Sequence, residues 1–250
     1  MVSPVIDLSH HNPTPNWPEI KKAGVVGVIH KATEGTGYVD NTLFSRARAA
    51  MDAGLKWSTY HFLRPGSMAA QMEHYLKTID PVDGERVCLD HEDAGVSLQA
   101  LEEAVSLLLA DPRKLQVCVY SGHVIKEQLG SRKSVILAKT SLWIAQYTSA
   151  ASPSWPSATW PQWSLWQWTD KEKIPGISQP VDGDRWNGTT AGLVSWFGPV
   201  DKEAPEPVEP LPEPIEPPAG KETVDVFIST SPGVAVSITL NGELVLAAAW

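Results

Sequence analysis

The sequence is short of basic charge. Its 250 residues hold 20 Lys and Arg against 29 Asp and Glu, a formal net charge of −9. Neutralising phosphates requires a basic surface, so a general nucleic-acid binder is excluded. No run of about 18 apolar residues occurs, so no membrane-spanning helix is predicted. The opening MVSPVIDLSHH has neither a basic n-region nor an apolar h-region, so no secretory signal is expected and the product is expected to be soluble and cytoplasmic. Only two cysteines are present, Cys88 and Cys118, each inside an apolar run, which favours buried thiols over a disulfide. A Gly-rich phosphate loop after the first strand is missing, and so is any G-x-S-x-G nucleophile turn.

The acidity is unevenly spread. Residues 201–220 carry net −5 and residues 221–250 net −2, leaving −2 for residues 1–200. The segment 200–220 reads VDKEAPEPVEPLPEPIEPPAG. Proline fixes φ and lacks an amide donor, and the repeated acids repel one another, so this is an expected stiff linker. It divides the chain into residues 1–199 and a tail, 221–250.

Residues 1–199 alternate β-rich runs with helical patterns. Strands are predicted at Val5–Leu8, Val25–Lys31, Lys56–Phe62, Arg86–Asp90 and Gln116–Tyr120. Between them lie predicted helices at Trp17–Ala23, Asn41–Ala53, Ser67–Ile79, Ser97–Ala110 and Val124–Leu129, with Ser97 a predicted N-cap and Gly54 a predicted C-cap. Five βα units in a row argue for a parallel sheet. Three further strands, Leu142–Gln146, Ser164–Trp168 and Val181–Asp184, follow without helical connections. The total is eight, the number that closes a small barrel around its own side chains. The expected fold is therefore α/β: an eight-stranded barrel of five βα units and three strands, followed by the Pro/Glu linker and a small β module. The alternative is an open doubly wound sheet.

In a parallel barrel, functional residues sit at the C-terminal strand ends. Those ends are rich in acids and rings: Asp7, Lys31, Tyr60 and His61, Asp90 and Glu92, Tyr120, Trp143, Gln167 and Trp168, and Asp182 with Asp184. On a strand, the carboxyls of Asp90 and Glu92 face one side and His91 the other. Two adjacent acids cannot ionise independently, so one should stay protonated beside a carboxylate. Glycoside cleavage needs that combination. Eight of the 11 tryptophans lie between Trp143 and Trp196, suited to stacking on sugar rings or to covering the helix-poor side of a barrel. The seven histidines raise a metal reading. His30 and His91 are expected to point away, leaving His10, His11 and His61 with Asp7, an incomplete ligand set, so neither metal nor cofactor is expected.

With these residues in view, residues 1–199 resemble the family 25 glycoside hydrolases, the lysozymes of many phages and bacteria. The likeness is carried by VIDLSHHN, VIHKATEGTGYVD, AGLKWSTYHF, LDHE, VYSG, LWIAQY, LWQWT and VDGDRWNG, in family order. The resemblance implies a muramidase that cleaves the β-1,4 bond from N-acetylmuramic acid to N-acetylglucosamine in peptidoglycan. It implies Glu92 as general acid, with Asp90, Asp7 and Asp182 polarising the site. Lys31, Tyr60, His61, Tyr120, Trp143, Gln167 and Trp168 are the expected substrate-binding residues. Two departures stand out: His91 within the acid pair, and Gly183–Asp184 after Asp182 where Leu–Asn is common. The expected setting is a phage endolysin held in the host cytoplasm until lysis. Rival readings are a metal-dependent amidohydrolase on the same polymer and a non-catalytic glycan-binding barrel.

The tail lies outside the resemblance. VDVFISTSP, VAVSITL and ELVLAAAW are β-like, and Asn241–Gly242 is a two-residue hairpin signal. About 30 residues of meander bury too little surface to stand alone. The tail is expected to associate with copies of itself, making a homo-oligomer, or with the barrel or a wall ligand.

Overall fold

The structure, a computed structural model, describes residues 2–199 and the strand residues 235–240 and 243–249. The elements of the first part run β1 (Val5–Leu8), α1 (Trp17–Ala23), β2 (Gly27–Glu34), β3 (Tyr38–Val39), α2 (Leu43–Asp52), β4 (Lys56–Phe62), α3 (Met68–Ile79), β5 (Arg86–Asp90) and α4 (Leu98–Leu109). They continue with β6 (Gln116–Ser121), α5 (His123–Leu129), β7 (Ser141–Ala145), β8 (Leu165–Glu172), β9 (Val181–Trp186) and α6 (Thr190–Trp196).

Local chemistry sets the helix ends. Asn16, Ser67 and Ser97 turn their side chains back onto the amides of Glu19, Ala70 and Ala100, satisfying donors that the first helical turn leaves free. Gly24 ends α1 at φ 106°, a conformation that costs glycine nothing.

The sheet closes on itself. Going round, β1 pairs with β2, then come β4, β5, β6, β7, β8 and β9, and β9 returns to β1. Eight strands make the barrel, and β3 is a two-residue addition hydrogen-bonded to β2. Side chains alternate, so two cores form. Val5, Ile29, Cys88, Cys118, Tyr120, Trp143 and Leu165 fill the barrel, and both cysteines are free thiols. Ile6, Leu8, Val28, Val87, Leu89 and Val119 face outward against the helices.

Two elements were not expected from sequence, and one direction differs. β3 is too short to show a period. Helix α6 has fewer than two turns and contains Gly192, so its pattern is weak, yet it plugs the end of the barrel where the parallel strands begin. Leu193, Trp196 and Phe197 join the interior core. Arg86, at the start of β5, donates to Trp196 O at 2.8 Å and lies 4.4 Å over the Trp196 ring. A Cβ on Gly27 would stand 2.4 Å from the Phe197 ring, so only glycine fits there. The difference in direction concerns β9, which runs antiparallel to both β8 and β1. The barrel is therefore mixed, not wholly parallel.

The side that lacks helices is walled by tryptophans. Trp155, Trp160, Trp166 and Trp168 each commit the indole N–H to a protein acceptor, and Arg185 lies 4.0 Å over the Trp168 ring and 5.0 Å over that of Trp166. Amphipathic rings suit this duty, because each buries its body and still satisfies its polar tip.

The second unit holds β10 (Ala235–Leu240) and β11 (Glu243–Ala249), an antiparallel pair joined across Asn241–Gly242. The linker at 200–220 and the first expected tail strand, 224–232, lie outside the described residues.

Candidate active site

At the strand ends opposite α6, a cavity of about 90 Å³ is lined by Asp7, Tyr60, Asp90, Glu92, Tyr120, Trp143, Gln167 and Asp182. Asp7, Tyr60, Asp90 and Tyr120 arrive on the upper halves of β1, β4, β5 and β6, and Gln167 on the third residue of β8. Asp182 arrives differently. It stands near the beginning of β9, and because that strand runs downward its beginning is at the mouth, directly across from Asp7 in the register. A second hollow, of about 310 Å³, continues from Glu92 and Tyr120 past Gly122, His123, Lys126, Gln146 and Tyr147.

The acid pair is not built on a single strand. β5 ends at Asp90, and Glu92 is in the loop beyond it. The backbone N–H of His91 still reaches Tyr120 O at 2.9 Å, which carries the extended course one residue further and brings both carboxyls to the cavity. The His91 ring turns outward, with Nε2 2.9 Å from Val96 O.

The four lining acids differ in surroundings. Asp90 is buried, Oδ1 has no hydrogen-bond partner, and burial followed by the nearby Glu92 charge pushes its carboxyl well above the usual range. Glu92 stands exposed at the mouth, yet protein around its carboxyl raises its pKa, opposed by His123 and Tyr120. Asp182 is raised to about 6, first by burial and then by Asp170 and Glu92. Asp7 is pushed well above the usual range first by burial and then by the neighbouring carboxyls of Asp182 and Asp184. A cavity so lined holds protonated acids near neutral pH, which is what proton donation to a leaving oxygen requires.

The amide of Gln167 joins the two sides of the cavity. Its Nε2 donates to Asp7 Oδ2 at 2.9 Å, and its Oε1 accepts from the hydroxyls of Tyr120 and Tyr147, each at 2.9 Å. It lines the cavity, but its polar atoms are committed to the protein. Tyr120 in turn packs on Trp143, ring centroids 4.4 Å apart.

Three expected substrate contacts are placed elsewhere. His61 faces outward, between Thr33 Oγ1 and Gln71 Oε1, because it alternates with Tyr60. Burial lowers its pKa to about 4. Trp168 alternates with Gln167 and also faces outward, donating to Ser3 Oγ. Lys31 lies toward the cavity rim, but its ammonium is held by Glu34 and sits over the rings of Tyr38 and Phe62. A bulge in β2 between Lys31 and Thr33 accompanies this shift. Among the described residues, no group of three His, Cys, Asp or Glu side chains is arranged to hold a metal.

Asp184 was visible in the sequence but not assigned to the site. It is fully buried beneath Asp7, with Oδ1 accepting from Trp143 Nε1 at 2.6 Å. The available signal was the two-residue spacing from Asp182, which puts both acids on the inner face of β9.

A closed mixed barrel whose mouth carries protonated and ionised carboxyls beside aromatic rings defines a glycosidase of the polysaccharide-cleaving kind. Residues 6–177 match the glycosyl hydrolases family 25, and the chain belongs to that family. It is 25% identical over 219 residues to lysozyme M1 of Streptomyces globisporus, covering 76% of this chain and 69% of that one. The bacterial lysozyme of Streptomyces coelicolor superposes with a TM-score of 0.70 at 26% identity, over 79% of this chain and 97% of that one. The family 25 lysozyme of Aspergillus fumigatus superposes with a TM-score of 0.65 at 28% identity, over 77% and 97%. The protein is thus a glycoside hydrolase, a muramidase whose substrate is peptidoglycan. The amidohydrolase and pure-binder readings are set aside.

Proposed function

We propose that the cavity cleaves the β-1,4 bond between N-acetylmuramic acid and N-acetylglucosamine, with Glu92 as general acid. The observation that carries this reading is the convergence of Asp7, Asp90, Glu92 and Asp182 on one cavity, with only Glu92 exposed. The Glu92 proton passes to the glycosidic oxygen as its bond to the anomeric carbon breaks. The negative charge of ionised neighbours stabilises the positive charge that develops there. Water then supplies hydroxyl to the anomeric carbon and a proton back to Glu92. Tyr60, Tyr120 and Trp143 give the sugar an aromatic surface.

The test is mass spectrometry of digested, borohydride-reduced peptidoglycan. Products ending in reduced N-acetylmuramic acid are expected. Ends on N-acetylglucosamine, or freed peptides with intact glycan, would overturn the assignment.

For its biological setting we propose a phage endolysin acting from the host cytoplasm. The support is the combination, in one chain, of a wall-cleaving barrel, an acidic proline-rich segment and a β-rich tail. Induced expression in a bacterial host should leave cells intact until a membrane pore is opened, and lyse them afterwards. Lysis without any pore would overturn this role.

A further inference from the structure

We propose that Asp184 is a positioning residue for Asp7: it keeps a proton at working pH and donates it to the Asp7 carboxylate, fixing that carboxylate beneath the substrate. The inference rests on the glycosidase reading of the cavity and goes beyond its four lining acids.

The geometry leaves Asp184 few alternatives. It projects from the inner face of β9, one layer below the β1–β9 pair Asp7 and Asp182. Its Oδ1 is occupied by the Trp143 indole N–H at 2.6 Å. Its Oδ2 is buried and, among the described residues, receives no hydrogen from any protein donor. What faces it within hydrogen-bonding range is the carboxyl of Asp7. Two carboxylates cannot share such a contact in a low-dielectric interior, since neither offers a hydrogen and their charges repel. One proton between them resolves both problems, and the pair then carries one negative charge.

Depth decides where the proton rests. Asp184 is 0% exposed, whereas Asp7 is 7% exposed and opens onto the cavity. Each carboxyl accepts one N–H, Asp7 from Gln167 and Asp184 from Trp143, so the donors balance and the deeper burial of Asp184 decides. The titratable groups facing Asp184 are Asp7 from β1, Asp182 from its own strand and Cys118 from β6, and Trp143 approaches from β7. Burial is the largest influence on Asp184 and pushes its carboxyl well above the usual range. Ionising Asp184 at high pH would withdraw the hydrogen from Asp7 and set a second charge against it.

Three measurements test this on the full chain. Asp184→Asn keeps the shape, offers an amide N–H to Asp7 and a carbonyl to Trp143, and cannot ionise. It is expected to recover most of the kcat lost in Asp184→Ala, for which a loss of about 10- to 100-fold in kcat with little change in KM is expected. In Asp184→Asn the alkaline limb of the pH profile, which the Glu92 proton sets, should stay where wild type has it, because a neutral amide replaces a neutral acid. Carboxyl ¹³C NMR of Asp-labelled protein, without substrate, should show one aspartate still protonated above pH 7 that disappears in Asp184→Asn. If Asp184→Ala does not fold, the asparagine variant and the NMR titration decide alone. A folded Asp184→Asn as inactive as the alanine variant, an alkaline limb moved to lower pH, or an Asp184 already ionised at pH 6 would overturn the proposal. Failure of the glycosidase reading appears separately, as wild-type enzyme yielding no saccharide products.

Discussion

Gln167 Nε2 lies 2.9 Å from Asp7 Oδ2, a bond that spans 160 residues of sequence. Because the same amide accepts from Tyr120 and Tyr147, its orientation is fixed: the oxygen must face the hydroxyls and the nitrogen must face the acid. Gln167→Leu removes the donor from Asp7 and leaves the buried Tyr120 hydroxyl without its acceptor. We expect a loss of about 1–3 kcal/mol in stability, read by denaturant unfolding, and a drop in kcat larger than any change in KM.

Glu92→Gln keeps the size and hydrogen bonding of the side chain but has no proton to transfer. Turnover on purified cell walls should fall about 10²- to 10⁴-fold, with a circular dichroism spectrum that shows the fold retained. Retention of more than about a tenth of wild-type activity would rule it out as the acid. Asp90→Asn removes the acid coupled to Glu92 and should lower the Glu92 pKa, moving the alkaline limb of the kcat–pH profile to lower pH.

Asp182 should cost the fold stability at neutral pH. Its carboxyl titrates near 6 in the folded chain, above the ordinary 3.8. Well below pH 4 both states are protonated and nothing is lost. As pH rises toward 6 the unfolded chain ionises first, so folding is penalised, and the penalty is complete above 6. Asp182→Asn should therefore be more stable than wild type by up to about 3 kcal/mol at pH 7, with the gap closing by pH 4. Melting curves at the two pH values check this.

His61 gives the opposite sign. Its folded pKa of about 4 lies below the ordinary 6.5, so acid favours the unfolded chain, which can take up the proton. Relative to His61→Gln, wild type should lose about 3 kcal/mol between pH 7 and pH 4. Because the ring faces α3 and not the cavity, His61→Gln is expected to keep kcat at pH 7 within a few-fold of wild type.

Chelation should leave activity intact. His30 is turned outward onto the Trp57 ring, and His61 and His91 are bonded to groups on the helix side, so none of the three reaches the cavity acids. Dialysis against EDTA followed by turnover on cell walls measures this, and activity restored only by added zinc would contradict it.

The sequence made some features easy to read and others not. Lys56–Phe62 is given to the residue by a run rich in aromatic residues, and Arg86–Asp90 by a short apolar run between charged residues after a turn at Asp83–Gly84. Trp17–Ala23 is equally plain, because Asn16, Pro18 and Gly24 mark its ends chemically. The direction of β9 was not readable, since a strand of six residues has the same alternation whichever way it runs. That is why Asp182 was expected at a strand terminus and instead stands near its beginning. The outward turn of His61 and Trp168 was implicit in their alternation with Tyr60 and Gln167. Proximity to a strand end outweighed that parity in the reading of the sequence. The use of Gln167 as an internal brace could not be read at all, because it depends on partners 20, 47 and 160 residues away.

The seam between β1 and β9 joins the first and the last strand of the barrel, and Asp7 and Asp182 face each other across it. A ribosome must therefore synthesise almost the whole barrel before these two acids can meet, and nascent fragments carry no assembled site. Pairings so distant in sequence are slow to form, because their loop-closure entropy is lost before any contact repays it. During refolding, helix signal should return first and turnover last, so that catalysis itself marks the moment the two ends of the barrel join.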